Sequence, residues 1–464
     1  MNFSIDILEV DLSQFSQAIA ELIQQIKDAN EHDSKLTQAI DTLAGFSCVD
    51  WLEAQPHFPK FYWQSRDTRE EVVALGKVHA FSDPAPAYTI LADGQRVWGG
   101  RAFQSSEDDG LPSSLFFLPQ IELVRFDDQW SISVNLDNNK STIISALKQL
   151  CCDYLELPSI STNIQSISHI PEQSDWNDQI EDVLDKIKQD QFKKVVLARK
   201  SIVQLDGQLS PAQLLKASVA HNHHSFHFLF ALDASQSFVG STPERLYSRN
   251  GQELETEALA GTIGRGKTAR KDLDLANWLA QDKKNLCENQ YVVDDIVARL
   301  EPHSTAIEAQ NEARLIRLRK VQHLKREIRA SLKSGVNGVQ LLSALQPTAA
   351  VAGLPREEAM KYILQHQPFS RGWYSGSIGY ISHHKAEFCV AIRSALVNGD
   401  QVNLYAGAGI VEGSQAEYEW QELDKKMSTL LCLLKDRQPQ DDSMQDEAMS
   451  ASSNQNSASF GVAS

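Results

Sequence analysis

Between Trp51 and about Leu136 the chain falls into short β-like runs rich in aromatics: FYWQ, VVALGKVHAF, RVWGGRAF, SLFFLPQIELVRF and WSISVNL. Turn signals part them, Asp-Gly at 93–94 and Asp-Asp-Gly at 108–110. This punctuation constrains the fold more than any other feature, because short strands separated by turns pair as antiparallel neighbours. Helical text surrounds them. Residues 1 to about 45 read as helix through Phe15, Ile19, Leu22, Ile23 and Ile26, and residues from about 141 to 156 read as helix again. The Ser-rich, Pro-bounded stretch 157–175 reads as a linker. A second block runs from Trp176 to Lys435. The stretch 438–464 is polar, cannot bury enough apolar surface to order itself, and reads as a disordered tail.

Composition sets the limits of function. With 464 residues, 42% of them hydrophobic, the chain has material for a large core. At roughly 150 residues per domain, three domains, or one large domain with an N-terminal extension, are both open. Acidic residues outnumber basic ones, 61 to 44, for a net charge of −17. That field repels nucleic acid, and an anionic substrate would need positive charge gathered locally. No apolar run approaches the length of a membrane span, and the N-terminus lacks the pattern of a signal peptide, so a cytoplasmic protein without membrane partners is expected. Cys48, Cys151, Cys152, Cys287, Cys389 and Cys432 contain no C-x-x-C and suit reduced thiols.

Six segments carry candidate chemistry. FKKVVLAR, 192–199, places Lys193 and Lys194 at the start of a buried strand, where only one of them can face a given side. Two solvated lysines would leave the same text. GSTPERL, 240–246, reads as a turn with Glu244 behind Pro243, or as a helix start. In LAGTIGRG, 259–266, small residues around Thr262 let backbone approach a ligand, as would an ordinary Gly-rich turn. The helix expected over 282–300 buries Leu286, Val293, Ile296, Val297 and Leu300, with Glu288 off that stripe.

The fifth segment, 402–427, joins a strand carrying Gly407 and Gly409 to a helix from about Gln415, where Trp420, Leu423, Met427, Leu430, Leu431 and Leu434 form the core stripe. Glu419, Glu422 and Lys426 share a neighbouring face; a surface Glu422–Lys426 pair is the plain reading. GAGIVEG imitates a dinucleotide fingerprint, but only the polar tail follows the helix, so no second parallel strand can close a βαβ unit. In the sixth, FSRGWYSGSIGY and EFCVAIRSALV suggest a hairpin, and Arg393 lies inside the second apolar run. A buried Arg needs an anion, from the protein or from a ligand.

Taken in order, KVVLAR, STPERL, LAGT, KNLCEN, RGWYSGSIGY, AIRSALV, GAGIV and EW-x-E-x-x-x-K resemble the chorismate-utilising enzymes over about 176–435. WLEAQPHFPKFYWQSRD and EEVVALGKV look like the menaquinone-pathway isochorismate synthases of that family. The resemblance implies an α+β fold: two packed antiparallel β-sheets flanked by helices, as in anthranilate synthase component I. Residues 1–156 would add helices and strands to the same body as the catalytic domain 176–435. Family members that add water carry Lys where this chain has Lys194, and ammonia users carry Gln. Aminodeoxychorismate synthases carry a nucleophilic Lys where this chain has Ala260. One departure is Gln346, which stands where many members have His.

The implied reaction converts chorismate to isochorismate. An uncharged Lys194 would activate water as base, and a protonated Glu244 would protonate the departing hydroxyl. By similarity Glu288 and Glu422 hold Mg²⁺, with Glu419 acting through water. Lys426 and the backbone around Gly407 and Gly409 would assist at the ring carboxylate, and Arg393 would clamp the enolpyruvyl carboxylate. Ala260, Gly261, Thr262 and Tyr405 complete the expected contacts. A salicylate synthase, a siderophore-pathway isochorismate synthase and a non-catalytic chorismate-binding module are the alternatives. Monomer and homodimer both remain open.

Overall fold

A computed structural model describes residues 12–104, 111–137 and 139–435. Its described strands form two sheets, one of 12 and one of 10 strands. Every pairing is antiparallel. The larger sheet starts at the edge strand Lys35–Ile40. It passes through Gln129–Asn135, Ile121–Phe126, Glu70–Leu75 and Lys60–Gln64 to Phe226–Ala231, Ser237–Thr242, Ser394–Asn398, Gln401–Ile410 and Lys194–Leu205. The smaller sheet carries Val321–Leu332, Glu253–Gly264 and Arg245–Asn250 on one side, Lys385–Val390 and Ser377–Ile381 at its centre, and Val97–Arg101 and Ser114–Leu118 beyond. Both sheets therefore mix strands from before and after residue 156.

Aromatic side chains fix how the sheets meet. Phe61 of the larger sheet packs on Trp98 of the smaller at 5.1 Å, and Phe230 stacks on Phe117 at 6.2 Å. Such pairs add about 0.5–1.5 kcal/mol each beyond the area they bury. This aromatic layer runs into Tyr374 and Tyr405. A second apolar core lies under the helices. Helix Ser13–Asp28 buries Phe15, Ala18, Ile19, Leu22 and Ile26, one face at helical spacing.

Three local expectations change. Lys35–Ile40 is a strand, not the end of a helix; it pairs with Gln129–Asn135, and its half-exposed pattern does not separate helical from strand period. The presumed linker 157–175 contains the strand Ile164–Ile170, which pairs with Lys200–Leu205, and helix Gln173–Lys188 begins inside it. The helix after 140 ends at Lys148. The expected hairpin forms between Ser377–Ile381 and Lys385–Val390, but its second run does not continue through Arg393: the chain turns there, and Ser394–Asn398 is a separate strand of the larger sheet. Gln401–Ile410 is antiparallel to both neighbours, which bears out the rejection of a dinucleotide-binding unit. The tail 438–464 and the turn at 108–110 lie outside the described residues.

Candidate active site

Lys194 opens the strand Lys194–Leu205, next to Gln401–Ile410, and is 0% exposed. Its Nζ lies 3.1 Å from Glu288 Oε1, close enough for an ion pair, although the alignment is not that of a hydrogen bond. Glu288 projects from helix Lys283–Leu300, whose first turn is capped by the Asp282 carboxylate accepting from Asn285 N. The face around Glu288 is not solvent. Asn285 and Asn289, one turn apart, are both buried and hold the neighbouring strand. Asn289 Nδ2 donates to the carbonyls of Ala258, Ala260 and Leu324, and Thr262 N donates to Asn285 Oδ1. The strand Glu253–Gly264 is irregular there, with its register broken between Leu259 and Thr262 and Gly261 at φ +83°. Thus LAGT is a bulged strand and not a free turn.

Gly409 is the point where these groups converge. A Cβ there would meet Glu288 Oε1 at 2.2 Å and Lys194 Cε at 2.8 Å. Any side chain would expel one of them, so the glycine serves close approach rather than backbone flexibility. Two residues earlier, the Gly407 carbonyl accepts from Lys426 Nζ at 2.9 Å, and Lys426 also pairs with Glu422 at 2.6 Å. The Glu422–Lys426 pair is therefore attached to the sheet and is not a free surface pair.

Glu244 sits between the strands Ser237–Thr242 and Arg245–Asn250, so no helix starts there. Its peptide is anchored on both sides. Arg66 donates to the Pro243 carbonyl at 2.7 Å and pairs with Glu257, and Val390 N donates to the Glu244 carbonyl. Burial, with Glu257 adding to it, pushes the Glu244 carboxyl up to about 8; Lys194, Lys426 and Arg393 oppose the shift. Glu244 is thus a protonated acid at neutral pH, faced by three cations.

Arg393 is buried and held in the left-handed region at φ +51°, a conformation an Arg rarely adopts. It donates to the Lys426 carbonyl, Thr429 Oγ1 and His323 Nε2. Among the described residues no carboxylate comes within ion-pair distance of it. Because an Arg only donates, Nε2 of His323 must be the acceptor and Nδ1 the protonated nitrogen. His323 Nδ1 then donates to Thr262 Oγ1 at 2.9 Å, which leaves the Thr262 hydroxyl proton free for another acceptor. Burial, then Arg393 and Lys426, hold His323 well below its usual range and so neutral.

One cleft gathers most of the candidates. Glu244, Ala260, Gly261, Thr262, Glu288, Arg393, Tyr405, Gly407, Gly409 and Lys426 line it, with about 590 Å³ of free space partly open to solvent. Lys194 stands directly behind Glu288. Glu419 and Glu422 line an adjoining groove that shares Thr262 with the cleft. Glu419, 2% exposed, pairs with Lys284 at 2.5 Å. Burial and then Glu422 raise its carboxyl to about 7. Burial also works against Glu288, but Lys194, Lys284 and Lys426 outweigh it and keep that carboxylate low. The sequence reading missed His323, Tyr374, Asn289 and Arg66. Tyr374 stacks on Tyr405 at 5.2 Å and lines the cleft. Gln346 stands outside it: its amide donates to the Arg101 and Ala102 carbonyls and accepts from Ser377 Oγ, tying strands of the smaller sheet.

A buried acid kept protonated and an unneutralised guanidinium share one cleft, beside an enclosed lysine, an arrangement suited to acid–base chemistry on a small anion. Comparison with known proteins gives the family. Residues 17–435 match the model of the chorismate binding enzymes, and the chain belongs to that family. Isochorismate synthase MenF of Escherichia coli (strain K12) is 38% identical over 399 residues, 84% of this chain and 91% of that protein. The solved structure of that menaquinone-specific enzyme superposes with a TM-score of 0.83 at 36% identity, covering 91% of this chain and 100% of the other. Anthranilate synthase component I from Streptococcus pneumoniae TIGR4 shares the fold, with a TM-score of 0.65 at 20% identity over 79% of this chain and 93% of its own.

Proposed function

We propose that the protein is an isochorismate synthase, an isomerase that converts chorismate to isochorismate with the help of Mg²⁺ and serves menaquinone biosynthesis. The observation that carries this reading is a protonated Glu244 in the cleft wall with the enclosed Lys194 near enough to act on its charge. Water adds at ring C2 while the C4 hydroxyl leaves and the double bonds shift. Lys194, once it has lost its own proton and with it the ion pair to Glu288, takes a proton from the water, and Glu244 gives its proton to the departing oxygen, which leaves as water. One water is consumed and one released, so the net change is isomerisation. The nucleophile follows from two positions. Lys194 stands where ammonia users of the family have Gln, and Ala260, in the cleft wall, offers no amine.

The residues present fit a hard divalent cation. Glu419 pairs with the Lys284 ammonium, and Glu419, Glu288 and Glu422 all act to raise its pKa against the effect of burial. Among the described residues no three acidic, His or Cys side chains converge into a complete ligand set. Mg²⁺ does not need one, since it binds through one or two carboxylates and fills the rest with water and substrate oxygens. Glu288 and Glu422 would hold it, with Glu419 behind them; when bound, it would neutralise the ring carboxylate of the substrate. Arg393 would clamp the enolpyruvyl carboxylate, which would supply the anion the fold withholds. Lys426 and the amides near Gly407 complete the ring-carboxylate site.

Incubation with chorismate and Mg²⁺, followed by product identification, tests the proposal. Isochorismate without salicylate or pyruvate is expected. Salicylate with pyruvate would establish the salicylate synthase alternative, and an unchanged substrate the non-catalytic one. No described helix is long and apolar enough to cross a membrane.

A further inference from the structure

Two further depressions adjoin the cleft. The groove past Thr262 is of mixed charge, with Asp282, Glu419 and Glu422 beside Lys284 and Lys425. On the other side a small crevice is lined by His223, Arg319 and Lys320 and shares Arg393 with the cleft. Arg319 and Lys320 belong to the segment 312–320, which meets a second segment, 265–274. Together they hold eight basic and three acidic residues, in a chain whose net charge is −17.

The sheet register places these segments. Thr262 pairs with His323 in the cleft wall, Ile263 with Gln322 and Gly264 with Val321. Arg265 and Lys320 follow at once, about 10 Å along the strands from the Thr262–His323 pair. The segments touch each other there: Arg265 N donates to the Lys320 carbonyl at 3.1 Å, and Arg265 Nη1 to the Leu318 carbonyl at 2.7 Å. Arg265 pairs with Asp272 at 2.8 Å, and Arg317 reaches the same carboxylate at 3.8 Å. Lys267, Arg270, Lys271, Arg314, Arg319 and Lys320 take no carboxylate partner among the described residues. Arg270 and Lys271 also occupy the first turn of helix Ala269–Gln281, where the positive end of the helix dipole disfavours cations by about 0.3–1 kcal/mol. Helix stability does not explain their presence.

We propose that the basic rim formed by 265–271 and 314–320 is an electrostatic gateway, which gathers the dianionic substrate beside the Arg393 end of the cleft. The inference rests on the reaction proposed above. Long-range attraction between exposed charges raises the local concentration of a counter-charged ligand and is lost as salt shortens the Debye length to about 8–10 Å. An overall acidic protein gains most from such a local reversal, since its remaining surface repels the substrate.

The test compares the wild type with Lys267→Gln/Arg270→Gln/Arg319→Gln/Lys320→Gln. A control, Lys27→Gln/Lys77→Gln/Lys148→Gln/Lys361→Gln, removes the same charge from exposed sites elsewhere. Initial rates with chorismate are measured at saturating Mg²⁺ while KCl rises from about 20 to about 300 mM. The wild type and the control should lose about tenfold in kcat/KM over that range. The gateway variant should start about tenfold lower and stay nearly flat, with the loss in KM. A wild-type slope in that variant, or an equally flattened slope in the control, overturns the gateway. If the wild type is inert toward chorismate, the proposed reaction fails instead. Calorimetric chorismate binding to the same proteins then decides the gateway: a flattened salt slope in the variant alone supports it, and equal slopes overturn it.

Discussion

The two ends of the cleft solve opposite electrostatic problems. At the carboxylate end every acid has a lysine: Glu288 has Lys194, Glu419 has Lys284 and Glu422 has Lys426. At the guanidinium end Arg393 donates only to neutral acceptors, a carbonyl, a hydroxyl and an imidazole. The first end is charge-balanced before any ligand arrives, so a metal must compete with ammonium groups. The second end keeps a buried cation uncompensated, and burial lowers the Arg393 pKa to about 10 against the pull of Tyr374, Glu422 and Glu244. A buried charge without a counter-ion is costly in a stable fold, and a dianionic ligand removes that cost. Between the two ends Glu244 stays protonated because burial outweighs the cations that face it.

The largest effect should come from the group between the ends. Glu244→Gln should lower kcat by about 10³-fold, within the range for removal of a general acid, with an unchanged thermal melt. Near-normal turnover by this variant or by Lys194→Gln would remove the acid–base assignment.

At the guanidinium end, Arg393→Lys should lose about 10²-fold in kcat/KM, because a point charge cannot reproduce a bidentate clamp. Equal kinetics would mean that a charge alone suffices there.

At the carboxylate end, exhaustive chelation should abolish activity and Mg²⁺ should restore it. Glu422→Gln should raise the half-saturating Mg²⁺ about tenfold. Lys284→Met should lower it several-fold by removing the competing ammonium, since about 1 kcal/mol of relieved competition is a factor of about five. A higher requirement in Lys284→Met would show that this lysine supports the metal site instead.

The smallest effect concerns pH. Glu244 is protonated below about 8 and ionised above it, so kcat/KM should fall as pH rises through about 8. A profile flat to pH 10 would place the proton elsewhere.

Local text carried a large part of this site. Gly407 and Gly409 lie two apart on a strand, so both face one side, and the small residues of LAGT mark close backbone approach. Helical spacing put Glu419, Glu422 and Lys426 together. What it left out is non-local. Asn289 reads as one more polar helical residue until its amide is seen bridging three carbonyls from two strands. His323 lies in a basic, strand-like stretch, and only the pairing of Val321–Leu332 with Glu253–Gly264 sets it beside Thr262. Arg66 is far from Glu257 along the chain, yet that pair fixes the peptide that presents Glu244.

By itself the chain text determined which residue types could do chemistry and in what order they occur. It also determined strand and helix periods where one face is clearly apolar, as in Ser13–Asp28. Tertiary structure alone decided the register of Lys35–Ile40 and Ile164–Ile170, the protonation of Glu244 and the neutrality of His323. The reason is physical: periodicity is a property of neighbours in sequence, whereas desolvation and charge depend on groups brought close in space from distant positions.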